Sequence, residues 1–250
     1  MKLLGIDVGG SGIKGTIVDS KTGELLTERH RIPTPSPSTP ANVAKTIKNL
    51  VEHFDYNGVV GCGFPTVMVE GRSLTFGNIH PDWKGTNVRK LLKKTTGLDF
   101  VIMNDADIAG FAELKFGEAK GKKGMVVILT IGTGIGSGVF YNGELVPNIE
   151  MGRLLGPDEK PFEYWTGDKA RKDQKLEWPE WGKRFNYFLE HIKRTFTPDH
   201  FILGGGASNK FDLYKDQITV DIPISLAKFR NNAGIVGAAI AARKYVKSKK

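Results

Sequence analysis

One unit occurs twice in this chain, and it restricts the fold more than any other feature. The segments KLLGIDVGGSGIKGTIVDSKTGELL, starting at Lys2, and MVVILTIGTGIGSGVFYNGELV, starting at Met125, both read as an apolar strand, a glycine-rich turn and a second strand. Aligned without gaps, Gly9 falls on Gly132 and Gly15 on Gly138, with apolar residues matching around them. A three-residue deletion in the following turn then superposes the two GEL segments. A supersecondary unit recurring more than 100 residues later implies two related α/β domains. A chain of 250 residues has room for both.

The remaining segments continue the same alternation. GELLTERHRI reads as a third strand beside the first hairpin, and PTPSPSTP as a proline-rich surface linker. Apolar spacing at Val43, Ile47, Leu50, Val51 and Phe54 predicts a helix from about Ala41 to Phe54. GVVGCGFP follows as a buried strand, NVRKLLKKTTG as a helix closed by Gly97, DFVIMND as a strand and ADIAGFAELKFG as the helix it feeds. After the second hairpin, Arg153 to Trp181 is polar and carries no clear period. WPEWGKRFNYFLEHIKRTF is an amphipathic helix opened by Pro179, HFILGGGASNK a strand ending in three glycines, and ITVDIPISL a short strand. In the last helix, NNAGIVGAAIAARKYV, crowded Gly and Ala point to close packing. The expected architecture is α/β, in two lobes with a cleft between them. The first lobe takes residues 1–104, joined by the C-terminal helix at about 233–250, and the second takes 105–232.

A formal net charge of +9 favours an anionic partner, whether nucleic acid, a phosphate polymer or a nucleotide, although solvated lysines alone would also account for it. No zinc-finger spacing, RRM aromatic signature or helix-turn-helix segment ahead of the first strand accompanies the charge, so nucleic acid is not expected. No apolar run approaches the ~20 residues of a membrane span. MKLLGIDVGG lacks a signal-peptide core, so no membrane partner and a cytoplasmic location are expected. The single cysteine, Cys62, cannot form an internal disulfide and reads as core.

Gly9, Gly10, Ser11 and Gly12 turn the chain sharply and expose backbone N–H groups, as do Gly132, Thr133 and Gly134 in the second copy. Such groups suit phosphate oxygens, and a plain tight hairpin is the alternative. Neither turn is a P-loop. Asp7 ends the first strand just before its turn, where it suits a magnesium-bound water or the phosphate loop, or else caps the turn. Lys14, on the second strand, either touches a phosphate or faces solvent. Phosphoryl transfer to an alcohol also needs a base near the attacking hydroxyl. NDADIAG supplies Asp105 at the end of a buried strand, where α/β folds bind ligands, with Asn104 beside it to hydrogen-bond a neighbouring hydroxyl. Asp107, in the first helical turn, suits the helix dipole and reads as structural.

In order and spacing, DVGGSGIK, GFP, GNIHPDW, NDAD, LTIGTGIGSGVFYNGEL and LGGGASNK resemble the ROK sugar kinases, over nearly the whole chain. Within that family, LTIGTGIGSGVFYNGELVPNIEMG and NNAGIVGAAIAA are most similar to the polyphosphate-using glucokinases. The resemblance implies two ribonuclease H-like (actin-like ATPase) lobes with an interlobe cleft. It also implies transfer from inorganic polyphosphate, ATP or both to the 6-hydroxyl of glucose or a related hexose, with Mg2+, in a homodimer. It places Asp105 as the general base and Asn78, Asn104, Glu150, Glu163 and the GFP loop at Gly63 around the sugar. Asp7, Gly9, Gly10, Ser11, Gly132, Thr133 and Gly134 match phosphate and metal positions. Gly204, Gly205 and Gly206 match the turn beside adenosine or part of the polyphosphate path.

Two departures stand out. The family usually reads E-x-G-H where this chain reads EMGR, so Arg153 replaces a sugar-contacting histidine. Arginine is permanently charged and cannot act as a neutral acceptor, which leaves a sugar hydroxyl, a phosphate, Glu150 or Asp158 as its partner. With one cysteine the chain also lacks the family's cysteine-rich zinc motif, so no zinc site is expected. Lys120, Lys122, Lys123, Arg171, Lys172, Lys175 and Lys210 are candidate polyanion contacts. The rival readings are a strictly ATP-dependent ROK hexokinase and a non-catalytic sugar-binding protein.

Overall fold

The computed structural model describes residues 1–77 and 79–249. The first glycine-rich hairpin is β1 (Lys2–Val8) and β2 (Gly12–Asp19), followed by β3 (His30–Pro33), α1 (Pro40–His53), β4 (Val60–Phe64) and the small hairpin β5 (Met68–Val69) and β6 (Arg72–Ser73). Next come α2 (Val88–Thr96), β7 (Phe100–Asn104) and α3 (Asp105–Phe116). The second hairpin is β8 (Met125–Ile131) and β9 (Ile135–Tyr141), with β10 (Glu144–Val146) after it. Then follow α4 (Glu163–Thr166), α5 (Asp168–Asp173), α6 (Trp178–Phe196), β11 (His200–Gly204), β12 (Ile224–Leu226) and α7 (Ala233–Ser248).

These elements form two compact units, Met1–Phe116 with Asn232–Lys250, and Gly117–Asn231. The division falls after Phe116 rather than after Asn104. Helix α3 stays with the first unit because it packs on α7, where Gly237 lies against the backbone carbonyl of Ile108. Each unit carries one five-stranded sheet, ordered β3-β2-β1-β4-β7 and β10-β9-β8-β11-β12. In both, an antiparallel run of three is continued by two parallel strands. The repeat read from the sequence is thus a repeat of topology, but its ungapped alignment slips by one residue across the turn. Val8 pairs with Ile13 and Ile131 with Ile135, so four residues separate the first pair and three the second.

Apolar residues on α1, α2 and the first sheet make one core, including Leu4, Ile6, Ile47, Leu50 and Phe64, joined by Trp83 from the turn ahead of α2. α7 covers the other face closely, because Gly5 and Gly61 carry no Cβ to meet the carbonyls of Ile235 and Ala238. In the second unit Trp181, Phe185, Phe188 and Leu189 of α6 pack on Val127, Leu129, Phe201 and Leu203. The expected third strand shrinks to His30–Pro33, since Leu25 makes only an isolated bridge to Val18 and Thr27 is tied through its hydroxyl to Thr16. Only the last three residues of ITVDIPISL are a strand. The polar stretch after Arg153 forms the two short helices α4 and α5, tied down by two hydrogen bonds: Trp181 Nε1 donates to Thr166 O at 2.9 Å and Asp168 N–H to Gly132 O at 3.0 Å. Among the described residues, no helix is long and apolar enough to cross a membrane.

Candidate functional site

In the first unit, parallel pairing sets Asp7 of β1 opposite Gly63 of β4, and Phe64 opposite Asn104 of β7. The chain then turns into α3 at Asp105. A Cβ built on Gly63 would stand 3.6 Å from the Asp105 Cα and 3.7 Å from Asp7 Oδ1, so both acidic residues flank this glycine. Asn104 is buried and caps α3: its Oδ1 accepts from the N–H groups of Ala106 at 2.9 Å and Asp107 at 3.1 Å, while Nδ2 donates to Thr66 O at 3.3 Å. Asp105 Oδ1 also accepts from Ala106 N–H at 2.9 Å. A helix N-terminus favours negative charge at Asp105. Asp107 is buried in the same turn, and Asn78 lies outside the described residues.

Asp7 does not cap its own turn: among the described residues no turn N–H donates to it. Its carboxylate pairs instead with Lys14, its direct cross-strand neighbour, at 3.0 Å, and stands against Gly234 at the start of α7. In the turn, Gly9 N–H closes onto Gly12 O at 3.0 Å, which spends one of the donors expected for a phosphate. The N–H groups of Gly10 and Ser11 make no hydrogen bond among the described residues, and both residues are exposed. β3 and the residue that follows it cover the turn's carbonyls: Thr34 Oγ1 donates to Gly9 O and Arg31 Nη2 to Ser11 O, each at 2.6 Å.

The second unit holds the other predicted residues. Gly132 N–H closes its turn onto Gly134 O at 2.9 Å, as Gly9 does in the first copy. Here the neighbour is acidic: Glu163 lies against Gly134, and its Oε2 accepts from Ile135 N–H at 3.4 Å. Gly205, at φ +79°, backs onto Ile131 just before that turn, so Gly204, Gly205 and Gly206 stand beside Gly132, Thr133 and Gly134. Ser137 positions Glu150, donating to Ile149 O and accepting from Met151 N–H at 2.8 Å. Sequence reasoning missed Ser137, Thr34 and Arg31, because each acts on a residue brought near only by strand pairing or loop packing.

Arg153 takes one of the partners expected of it, with its Nε 3.9 Å from Glu150 Oε2. Burial raises the pKa of the Glu150 carboxyl, Arg153 opposes the rise and Glu163 adds to it. An acid whose folded pKa is raised binds more protons folded than unfolded, so its contribution to stability falls as pH rises through that interval. Thermal melts should therefore show Glu150→Gln gaining stability relative to the parent as pH rises from below 4.5 to 7. An unchanged difference across that range would contradict the assignment. Two of the proposed polyanion contacts have structural partners instead. Arg171 bonds Asp168 at 2.9 Å and lies 4.0 Å over the Trp178 ring, and Lys172 bonds the same carboxylate at 2.6 Å.

A polyphosphate glucokinase of Mycobacterium tuberculosis is 44% identical, the match covering 95% of this chain and 89% of that one. A glucokinase of Streptomyces coelicolor is 32% identical, over 96% of this chain and 97% of that one. The crystal structure of the inorganic polyphosphate/ATP-glucomannokinase of Arthrobacter sp. strain KM superposes with a TM-score of 0.93 at 39% identity, covering 98% of this chain and 99% of that one. The fold is therefore that of the actin-like ATPase superfamily, with a ribonuclease H-like sheet in each unit. The ROK family profile matches residues 3–148, and with relatives this similar along almost its whole length, the chain belongs to the ROK family.

Proposed function

We propose that this protein phosphorylates glucose at its 6-hydroxyl, using inorganic polyphosphate, ATP or both. The observation that carries the reading is the pair of acidic residues flanking Gly63 at the strand ends, one leading into a helix and the other into a glycine turn. The names of the relatives supply the sugar and the donors. In the proposed reaction Asp105 accepts the proton of the 6-hydroxyl as its oxygen bonds to the terminal phosphorus. The bridging P–O bond breaks, and its electron pair leaves with the shortened polyphosphate or ADP. Asn104, Gly63, Glu150, Glu163, Arg153 and Asn78 are the proposed sugar contacts. Gly10, Ser11, Gly12, Lys14, the turn at Thr133 and the glycines 204–206 are assigned to the donor.

Asp7 fits a Mg2+ ion held through water, since magnesium binds through one or two carboxylates together with substrate phosphates. Bound there, the ion would neutralise charge on the donor phosphates. A cytoplasmic homodimer completes the proposal, on the family resemblance.

The test is glucose 6-phosphate formation with Mg2+, comparing polyphosphate and ATP at equal phosphoryl concentration. Turnover with either donor is the expected result. Turnover with ATP alone removes polyphosphate from the reading, and silence with both donors on glucose and other hexoses overturns it in favour of a sugar-binding protein.

A further inference from the structure

The two glycine turns differ in what lies over them. Both close on their first glycine, Gly9 N–H to Gly12 O and Gly132 N–H to Gly134 O. A carboxylate, that of Glu163, lies against the second, whereas a guanidinium lies against the first. Arg31 reaches that position because β3 pairs with β2 so that Arg31 is opposite Lys14, and Lys14 is opposite Asp7 on β1. Residues directly opposed across a sheet project to one face. Asp7, Lys14 and Arg31 therefore form a row, alternately anionic and cationic, leading to the turn. Gly12 completes the arrangement: a Cβ there would stand 2.6 Å from Arg31 Cζ, so a larger residue would displace the guanidinium from the position in which it donates to Ser11 O at 2.6 Å.

We infer that Arg31 is a donor-binding residue that makes the first turn the seat of an inorganic phosphate chain, in partnership with Lys14. The inference rests on the proposed kinase reading and goes further, to a residue and a turn. A carbonyl pointing at a phosphate would repel it. Arg31 and Thr34 occupy the carbonyls of Ser11 and Gly9, leaving the N–H groups of Gly10 and Ser11 to face an anion. Arg31 adds what Thr34 lacks, a fixed positive charge with several planar donors suited to phosphate oxygens. Inorganic polyphosphate carries charge on every unit and offers no adenosine contacts. It should therefore depend more on this charge than ATP does.

The experiment compares Arg31→Gln, Arg31→Lys and Thr34→Val with the parent protein, by tripolyphosphate binding in calorimetry and by KM and kcat for polyphosphate and ATP. Arg31→Gln is expected to weaken tripolyphosphate binding and raise the KM for polyphosphate about tenfold, equivalent to ~1.4 kcal/mol. Its kcat should change by less than about twofold, and its KM for polyphosphate should lose salt sensitivity. Arg31→Lys should recover part of the affinity. Thr34→Val removes a tie to the same turn without touching charge, so it should lower the melting temperature and spare donor discrimination. If Arg31→Gln binds tripolyphosphate like the parent, or if it and Thr34→Val weaken both donors equally, Arg31 is only a brace and the inference fails. If the parent does not bind tripolyphosphate, the inference also fails, while ATP turnover would leave the kinase reading standing.

Discussion

Asp105→Asn is expected to lower kcat for glucose phosphorylation by about 10²- to 10⁴-fold with either donor, the usual contribution of a positioned general base. That corresponds to ~3–5 kcal/mol of transition-state stabilisation. Folding should survive the change. Asp105 Oδ1 accepts from Ala106 N–H at 2.9 Å, a bond that an asparagine carbonyl can also accept. The α3 cap itself belongs to Asn104. The asparagine variant should therefore melt close to the parent and still bind glucose, so that lost turnover reports chemistry rather than unfolding. Initial-rate assays, with glucose binding measured separately, decide the matter. A variant with more than about a tenth of parental kcat would show that another group accepts the proton, and the assignment of NDAD would fall.

The sequence already placed Asp105 at a strand-to-helix corner, because an apolar run ending in NDAD and followed by helix formers has few other readings. It also carried the repeat and, through it, the two-sheet topology. Other features stayed hidden because they depend on contacts between segments distant in the chain. The polar stretch from Arg153 to Trp181 has no period of its own. Its helices are fixed by Trp181 from α6 and by Gly132 in the turn beneath them. The second role of Asn104 is local but was masked by its neighbour, since an Asn two and three residues ahead of Ala106 and Asp107 is also an ordinary N-cap. The dissimilarity of the two glycine turns was equally invisible. GGSG and GTG look alike as phosphate loops until strand pairing sets Arg31 on one and loop packing sets Glu163 on the other.

Gly237→Ala separates two effects of opposite sign and should lose about 2 kcal/mol of stability. In an isolated helix, alanine is better than glycine by ~0.8–1 kcal/mol, so propensity alone predicts a more stable protein. At position 237 the added methyl would run into the backbone carbonyl of Ile108 on α3, and backbone cannot rotate away as a side chain can. Overpacking of this kind costs ~1–3 kcal/mol and occasionally more, so the net change should be destabilising. Gly61→Ala tests the contact of the same helix with β4, where the methyl would meet the carbonyl of Ala238. For a chain of 150–250 residues each kcal/mol shifts the melting temperature by ~2–4 °C, so a loss of about 2 kcal/mol should lower it by ~4–8 °C. Activity should fall as well, because α7 begins beside Asp7: Gly234 would place a Cβ 2.8 Å from that carboxylate carbon. A helix pushed off the sheet would withdraw Gly234 from the Asp7 carboxylate and loosen the position of that side chain. Calorimetric melts of both variants test the packing. If Gly237→Ala melts at or above the parent temperature, α3 and α7 are not held at the separation described, and the packing that fixes Asp105 and Asp7 on one sheet edge would have to be redrawn.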